Sequence, residues 1–487
     1  MRIVDKVMPY MRDFQSVMSV LKLKKELVKS QSMSPGELSR LQDLKLRSIL
    51  RYATANSLFY QGLYKGIDIE NCMLSDLPII IKRMMMDNYD DLVTDKRLNR
   101  NDLREFLSRP ENASKLYKNV FVILNSSGTT GEKAIMGYDW SEFQYVFAAA
   151  MARGSTRAGS GVNIAKSLLG KPLRIANIML TNSLSASFIC ASMLCAVPDH
   201  PLMKIRFYSV FTPIDQLCEA LNEFQPHIIQ AYSTVIGTLA YEQHAGRLKL
   251  RFDDPRSQLI SLSEPLPDKT RQIARKAFGR DIINTYGACE SIIMARECEA
   301  HRGMHLNSDL VIFEVVDEHN HPVPPGTMGA KVIVTNFYTK AQPMIRYEIH
   351  DRVCVDPEPC VCGNRLPLIR TVEGRTEEIL FISRPGGGFE PVHPYLFLVP
   401  VLNSQEIKEF QVEQVERDHF VFRVVPEQPG KFTPQDLVTI MEKSMEREGF
   451  AGRLTFTGEI LEKIPRDPVS GKIVQVISKV GPPAGEG

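Results

Sequence analysis

A short loop rich in hydroxyl groups and glycine is the part of this sequence best suited to chemistry. It directly follows the apolar run 120–124. Its positions are Ser126, Ser127, Gly128, Thr129, Thr130 and Gly131. Because the glycines leave room for close approach, backbone N–H and side-chain O–H groups can converge there on one anion such as a phosphate. Two residues, not four, separate the glycines, so this is not a Walker loop. Taken alone, the segment is also compatible with a solvated turn.

The elements around this loop are predicted from apolar periodicity. The run 120–124 predicts a buried strand that ends at the loop. Further short apolar runs alternate with helical patterns, which favours an α/β sheet. These runs cover residues 173–180, 226–232, 258–262 and 281–286, and the predicted helices cover 34–52, 140–153 and 269–278. The first helix begins at Ser34-Pro35-Gly36-Glu37, a capping box with proline at the first helical position.

A change of pattern predicts a second domain. Residues 311–316 and 331–334 flank a turn-rich segment and predict an antiparallel sub-region within the large domain. The tract Pro-Gly-Gly-Gly at 385–388 then predicts a flexible joint. Beyond it, two strands over 407–414 and 419–425 and a helix capped by Thr433 predict a small α+β domain. The predicted division is an N-terminal domain of residues 1–380 and a C-terminal domain of residues 381–487.

Five further short segments carry side chains suited to nucleotide chemistry. They are Ser263-Glu264-Pro265, Tyr286-Gly287-Ala288-Cys289-Glu290, residues 346–351, residues 373–377 and residues 465–472. Each alone has an ordinary interpretation: Glu290 as a surface carboxylate, Tyr286 as a core aromatic and Lys472 as a solvated cation. Their order along the chain, together with the hydroxyl loop, resembles the adenylate-forming ligases, which include acyl-CoA synthetases and luciferases. The resemblance extends from about residue 40 to 480 and is greatest to the phenylacetate–CoA ligase branch and its capsule-biosynthesis relatives.

The resemblance implies a two-step reaction. A carboxylate attacks the α-phosphate of ATP to give an acyl-adenylate and pyrophosphate, and the acyl group then passes to an acceptor. Such a site must stabilise charge on phosphate oxygens and align the attack. Coenzyme A is the expected acceptor, and an amine or a carrier-protein thiol is the alternative acceptor. A non-catalytic scaffold role is the alternative to an enzyme.

The same resemblance assigns roles to individual residues. The loop and Lys133 would hold the phosphates, and the ATP pocket would be bordered by Glu264, Pro265, Tyr286 and Gly287. Asp351 would accept from the ribose hydroxyls and Arg375 would donate to the ribose or a phosphate. Glu290 would bind Mg²⁺, a hard cation suited to carboxylate oxygen. Lys472, on a mobile C-terminal domain, would neutralise charge at the reacting phosphate, and Glu377 would lie at the hinge.

The acid pocket, by resemblance, would be lined near four residues, although aromatic side chains also line cores. They are Tyr138, Phe143, Tyr232 and Ser233. This composition suits an aryl or cyclic acid. Three positions depart from the family pattern: Cys289 stands in place of Thr or Ser, Ala134 in place of a lysine, and His350 in place of glycine.

Cysteine and histidine side chains predict a metal site. Cys298, His301 and His305 lie close together in sequence, and Cys360 and Cys362 follow about sixty residues later. Three thiolates and one imidazole suit a tetrahedral structural zinc site, and some members of the resembled branch carry one. The expected ligands are Cys298, His305, Cys360 and Cys362, with His301 as the substitute for His305. Ordinary thiols are the alternative interpretation.

Composition limits the class of protein. The 487 residues are too many for one ordinary core, and 44% hydrophobic and 24% charged residues are typical of a globular protein. A net charge of +2 gives no reason to expect nucleic acid or an anionic membrane as partner. Nine cysteines without paired spacing, and no apparent signal segment, favour the cytoplasm.

Overall fold

The structure is a computed structural model. It describes residues 14–109, 112, 115–125, 134–153, 172–181, 186–194, 203–264, 266–373, 380–402, 404, 406–465 and 474–480. Within these residues, no helix combines the length and the apolar character that a membrane span would need.

The N-terminal region is helical. Its helices are α1 (Phe14–Ser30), α2 (Pro35–Asn56), α3 (Leu58–Leu63), α4 (Lys82–Asp87), α5 (Tyr89–Leu92) and α6 (Arg100–Leu107). The predicted capping box at the start of α2 is confirmed: the Ser34 hydroxyl accepts from the Glu37 N–H, and the Glu37 carboxylate accepts from the Ser34 N–H. Helix α1 has no clear apolar pattern in the sequence, because its apolar side chains are scattered. Val20 and Leu27 are buried, whereas Met18 and Leu21 are exposed.

The large domain continues as an α/β region. Its elements are β1 (Phe121–Asn125), β2 (Ile135–Asp139), α7 (Trp140–Ala152), β3 (Leu173–Met179), α8 (Ala186–Leu194), β4 (Met203–Ser209), α9 (Ile214–Phe224), β5 (Ile228–Ala231), α10 (Ser233–His244), β6 (Gln258–Ser261), α11 (Asp268–Phe278) and β7 (Ile282–Ala288). The strands pair in parallel in the order β4-β3-β5-β6-β7, as the alternating pattern predicts. Helix α11 ends at Gly279, whose φ of +64° suits glycine.

The sheet then changes to antiparallel pairing. The next strands are β8 (Ser291–Glu297), β9 (Met304–Leu306), β10 (Val311–Val316), β11 (Lys331–Asn336), β12 (Tyr347–Ile349), β13 (Arg352–Val355) and β14 (Leu368–Glu373). Strands β8, β9, β14 and β13 extend the parallel strands into a sheet of nine described strands. Strands β10, β11 and β12 form a separate antiparallel sheet. The predicted antiparallel sub-region is therefore present, and the α/β fold class is confirmed.

A second cluster of buried side chains begins at Leu380. Its elements are β15 (Leu380–Ser383), β16 (Phe389–Val392), α12 (Tyr395–Leu402), β17 (Ile407–Glu416), β18 (His419–Pro426), α13 (Pro434–Arg447), β19 (Thr455–Ile460) and β20 (Val476–Ser478). Strands β19-β18-β17-β20 form one sheet, and α13 is capped by Thr433 as predicted. This small α+β unit has its own core, while the exact boundary at 380/381 stays a prediction.

Candidate active site

Two carboxylates and two phenols meet near the end of β7. The Tyr286 hydroxyl donates to Asp351 Oδ2 at 2.7 Å, although the two residues are 65 positions apart. Burial, with the adjacent Asp351 charge, raises the pKa of Tyr286 well above its ordinary value, so the phenol remains a hydrogen-bond donor at neutral pH. The Tyr347 hydroxyl donates to Glu290 Oε1 at 3.3 Å. The structure therefore brings together the predicted adenine-side tyrosine, ribose-binding carboxylate and magnesium-binding carboxylate.

Glu290 lies in the tight turn between β7 and β8. Burial raises the pKa of its carboxyl group, and the Tyr347 hydroxyl opposes that effect by stabilising the charged form. A partly buried carboxylate with few donors has oxygen lone pairs left for a hard cation. This environment fits the predicted magnesium role.

Gly287 is needed for a structural reason that the sequence did not reveal. The pairing of β7 with β8 is irregular between Tyr286 and Ala288. A Cβ atom at Gly287 would lie 1.9 Å from the backbone oxygen of Ile292. Because backbone atoms cannot give way cheaply, only glycine fits, and this close approach shapes the turn that holds Glu290.

Cys289 links this turn to the strand that precedes the hydroxyl loop. Its Sγ donates to the backbone oxygen of Asn125, the last residue of β1, at 3.2 Å. Its own backbone oxygen accepts from the Tyr138 hydroxyl. The thiol thus has a packing role here, and its effect on phosphate binding stays a prediction. The last residue of β1 is thereby held against the turn that carries Glu290.

The loop itself lies outside the described residues, as do several other predicted positions. These are Ser126, Ser127, Gly128, Thr129, Thr130, Gly131, Lys133, Pro265, Arg375, Glu377 and Lys472. Their assigned roles stay predictions.

The four predicted acid-pocket residues fall into two groups. Tyr138 and Phe143 pack against each other with ring centroids 6.3 Å apart, and Tyr138 also contacts the turn of Cys289. Tyr232 and Ser233 lie at the start of α10, where Ser233 donates to Glu264. All four side chains are buried. The described contacts favour a core role for Phe143, and the lining of the acid pocket stays a prediction.

Glu264 is buried with both of its carboxyl oxygens engaged. Oε2 accepts from the Ser233 hydroxyl at 3.1 Å and from the N–H and hydroxyl of Thr234 at 3.0 and 2.9 Å. Oε1 lies 2.9 Å from Nε2 of His393 in the small domain. Its carboxylate thus fixes the protein's own structure at this edge of the sheet, and its role beside adenine stays a prediction.

Sequence reasoning missed the residues that hold these side chains in place. Arg346 adopts a left-handed φ of 51° and donates to the Glu314 carboxylate and to the backbone oxygens of Ser75 and Leu77. These contacts fix the start of β12, from which Tyr347 reaches Glu290. Both residues belong to the segment 346–351, and the Arg-Tyr pair at its start was the sequence feature that could have indicated this role.

The predicted metal ligands form one cluster. The cluster consists of Cys298, His305, Cys360 and Cys362. Each residue offers one ligand atom, and these four atoms all lie within 4.8 Å of one another. His305 Nε2 is 3.2 Å from Cys362 Sγ, and its Nδ1 is 3.0 Å from the backbone oxygen of Leu366. That second contact places the proton on Nδ1 and leaves Nε2 to bind a metal.

His301, the substitute ligand, points elsewhere. Its ring lies 3.5 Å from the carboxylate of Glu297 and 4.0 Å from that of Asp281. The Sγ atoms of Cys298 and Cys360 are 3.7 Å apart, too far for a disulfide. Burial raises the pKa of Cys298 to about 12, and a divalent cation would reverse this shift by stabilising the thiolate. The donor set therefore fits zinc in type, number and spacing.

Comparisons with known proteins show which proteins this chain is similar to. No protein-family profile matches the chain. It is 26% identical to a phenylacetate-coenzyme A ligase of Thermus thermophilus over 275 aligned residues. The aligned region covers 53% of this chain and 55% of that enzyme's length. The chain is 23% identical over 355 residues to protein CapK of Staphylococcus aureus, 71% of this chain and 69% of CapK.

Solved structures with a similar fold were also found. A 2-hydroxyisobutyryl-CoA ligase in the thioester-forming state aligns with a TM-score of 0.56 at 18% identity, covering 92% of this chain and 91% of that one. The same enzyme in its postadenylation state aligns with a TM-score of 0.55 at 17% identity, covering 93% and 92%. At this identity the match shows the fold alone. Sequence and fold together confirm the predicted resemblance of this chain to the adenylate-forming ligases and to their phenylacetate–CoA ligase and CapK branch.

Proposed function

We propose that this protein is an adenylate-forming ligase that activates a small carboxylic acid with Mg·ATP and passes the acyl group to the thiol of coenzyme A. The observation that carries the proposal is the meeting of Tyr286, Asp351, Tyr347 and Glu290 beside the end of β1. It supports a site in which Asp351 would accept from the ribose and Glu290 would bind magnesium, with the hydroxyl loop that follows β1 in sequence completing it.

In the first step the acid's carboxylate oxygen attacks the α-phosphorus, and the bond from that phosphorus to the pyrophosphate oxygen breaks. Asp351 is an acceptor-only group and holds the ribose hydroxyls, while the Tyr286 phenol keeps its carboxylate in place. Glu290 would hold a Mg²⁺ ion, which would supply positive charge to the phosphates. Lys472 supplies a cation where negative charge accumulates during the attack.

Coenzyme A is proposed as the acceptor because the Thermus relative and the aligned solved structures are named as CoA ligases. An aryl or cyclic acid is proposed as the substrate. The cluster of Cys298, His305, Cys360 and Cys362 would hold a structural Zn²⁺ that ties the loop after β8 to the loop before β14. The ion would act on stability and not on the reacting atoms.

The test is pyrophosphate–ATP exchange with a broad panel of carboxylic acids. Exchange with any acid supports adenylation, and silence with every acid would favour a non-catalytic scaffold. Product masses after addition of coenzyme A or of amines then identify the acceptor. An amide product would replace the proposed thioester.

Lys472→Ala is the sharpest variant for this reaction. We expect exchange to fall on the order of a hundredfold or more, because a charge that stabilises the transition state is lost. Lys443→Ala, an exposed lysine on α13, is the matched control and should leave exchange unchanged. Equal exchange in the two variants would refute the role of Lys472.

A further inference from the structure

One buried hydrogen bond joins the two domains. His393, between β16 and α12 of the small domain, places Nε2 2.9 Å from Oε1 of Glu264 in the large domain. Both side chains are only 3% exposed. Because water cannot replace a lost partner at such a site, breaking this bond is costly.

Contacts within the large domain hold Glu264 in place independently of His393. The residue preceding α10, Tyr232, provides no side-chain cap for the helix. Glu264 supplies that function instead, since its Oε2 accepts from the N–H and hydroxyl of Thr234 and from the hydroxyl of Ser233. Its Oε1 is thereby aimed at the small domain.

A contact within the small domain holds His393 in place. Its Nδ1 accepts from the N–H of Tyr395 at 3.1 Å. Nδ1 therefore carries no proton, and Nε2–H is the donor to Glu264. The rings of Tyr232 and Tyr395 lie 5.2 and 4.7 Å from the imidazole, one from each domain. This packing helps to hold the imidazole in position.

The described residues include a second charged contact between the domains, and it is weaker. Arg384 lies 3.4 Å from Asp215, whose side chain is 65% exposed. An ion pair open to water contributes little. The buried contact of His393 is thus the polar contact best able to set the orientation of the small domain.

We propose that His393 is a positioning residue: its hydrogen bond to Glu264 holds the small domain in the orientation seen here and must break before that domain can rotate. The inference rests on the proposed function for the rotation itself, since the two half-reactions of that function would use two orientations of the small domain. It gives Glu264 a second role, because the residue next to the candidate nucleotide pocket also holds the domain that closes over it.

The first test measures domain orientation without any substrate. Single-molecule energy transfer between dyes at the exposed positions Arg83 and Lys443, attached through unnatural amino acids, reports the distance between the domains. His393→Phe keeps a ring between the two tyrosines but removes both hydrogen bonds. We expect it to shift the ratio of orientations about tenfold or more, and His393→Gln, which retains a donor, to restore part of the shift.

The matched control is His419→Phe. His419 also lies in the small domain and bonds to Thr457 within that domain, so its loss should leave the distance distribution unchanged. An unchanged distribution in folded His393→Phe would overturn the proposal. If that variant does not fold, an unchanged distribution in His393→Gln combined with Glu264→Ala would overturn it instead.

The second test separates the two half-reactions. Pyrophosphate exchange reports the first, and transfer from a supplied acyl-adenylate reports the second. Because the bond favours one orientation, His393→Phe should change the ratio of the two rates about tenfold or more. An equal loss in both rates would indicate a merely structural role and overturn the proposal. If the wild type shows neither half-reaction, the proposed function fails, and the distance measurement still decides the role of His393.

Discussion

Two groups of buried polar side chains join distant parts of this chain, and they differ in how many contacts must be broken to separate them. The cysteine–histidine cluster brings four ligand atoms within 4.8 Å of one another inside the large domain. The Glu264–His393 contact is one hydrogen bond of 2.9 Å between two domains, across 129 positions of sequence. A four-ligand site with a metal bound would come apart only when its ion leaves. Separating Glu264 from His393 is also costly, but it requires the loss of one buried hydrogen bond only.

This difference suits two different tasks. With the proposed zinc bound, the cluster would connect two loops of the large domain, where a permanent connection is an advantage. Under the proposed rotation, the Glu264–His393 contact would have to hold one orientation of the small domain and also release it. Buried polar groups would then serve permanence in one place and reversibility in the other.

The largest expected effect comes from breaking the cluster. Cys360→Ser removes one of four ligands, so we expect zinc to be lost. If the ion is normally present at a thousand times its Kd, its loss lowers the free energy of unfolding by about 4 kcal/mol. Metal analysis and denaturant unfolding measure these two effects, and the distance between the domains should not change.

His301→Ala is the matched control for the cluster. Because its ring faces Glu297 and Asp281, zinc content should stay at the wild-type level. Equal zinc in Cys360→Ser and the wild type would remove Cys360 from the ligand set. A loss of zinc in His301→Ala would show that the two histidines exchange roles.

Glu142 offers a further test of this comparison, because its buried carboxylate, like that of Glu264, accepts N–H donors, but its described contacts include no histidine. It accepts from Lys340 at 2.6 Å, from Ala341 at 2.8 Å and from Asp139 at 2.9 Å. Burial nevertheless raises its pKa to about 7. The folded state therefore binds this proton more tightly than the unfolded state, and the stability it contributes at low pH is lost as pH rises from about 4.5 to about 7.

We expect Glu142→Gln to remove that part of the pH dependence. As pH rises from about 4.5 to about 7, the free energy of unfolding should fall by on the order of 1 to 3 kcal/mol more for the wild type than for the variant. Chemical denaturation at a series of pH values measures both slopes. Parallel slopes would show that Glu142 has the same charge in the folded and unfolded states.

The smallest expected effect is at the candidate magnesium ligand. Tyr347→Phe removes the donor to Glu290, which stabilises the carboxylate's charged form and lowers its pKa. The pKa should therefore rise further, the acid limb of the exchange profile should move to higher pH, and the KM for Mg·ATP should rise about fivefold, or about 1 kcal/mol. Tyr52→Phe, on α2, is the control and should change neither quantity. An unaltered profile in Tyr347→Phe would show that its phenol does not support Glu290.

Local features of the fold were predictable from short stretches of sequence. The capping boxes at Ser34 and Thr433 and the stop at Gly279 each depend on a few consecutive residues, and the structure has all three. The four-ligand cluster was predictable as a set because only a few side-chain types bind zinc. The choice between His301 and His305 was not, since it depends on which ring faces the loop of Cys360.

The α/β class and the order of segments that identifies the family resemblance were readable from the sequence, which also predicts a separate small domain. The helix α1, the close approach of Gly287 to the backbone of Ile292 and the contact of His393 with Glu264 became visible only in the folded chain. The physical reason is range: caps, periodicity and turns arise between neighbours in the chain. A hydrogen bond across 129 positions arises only when packing has brought two surfaces together.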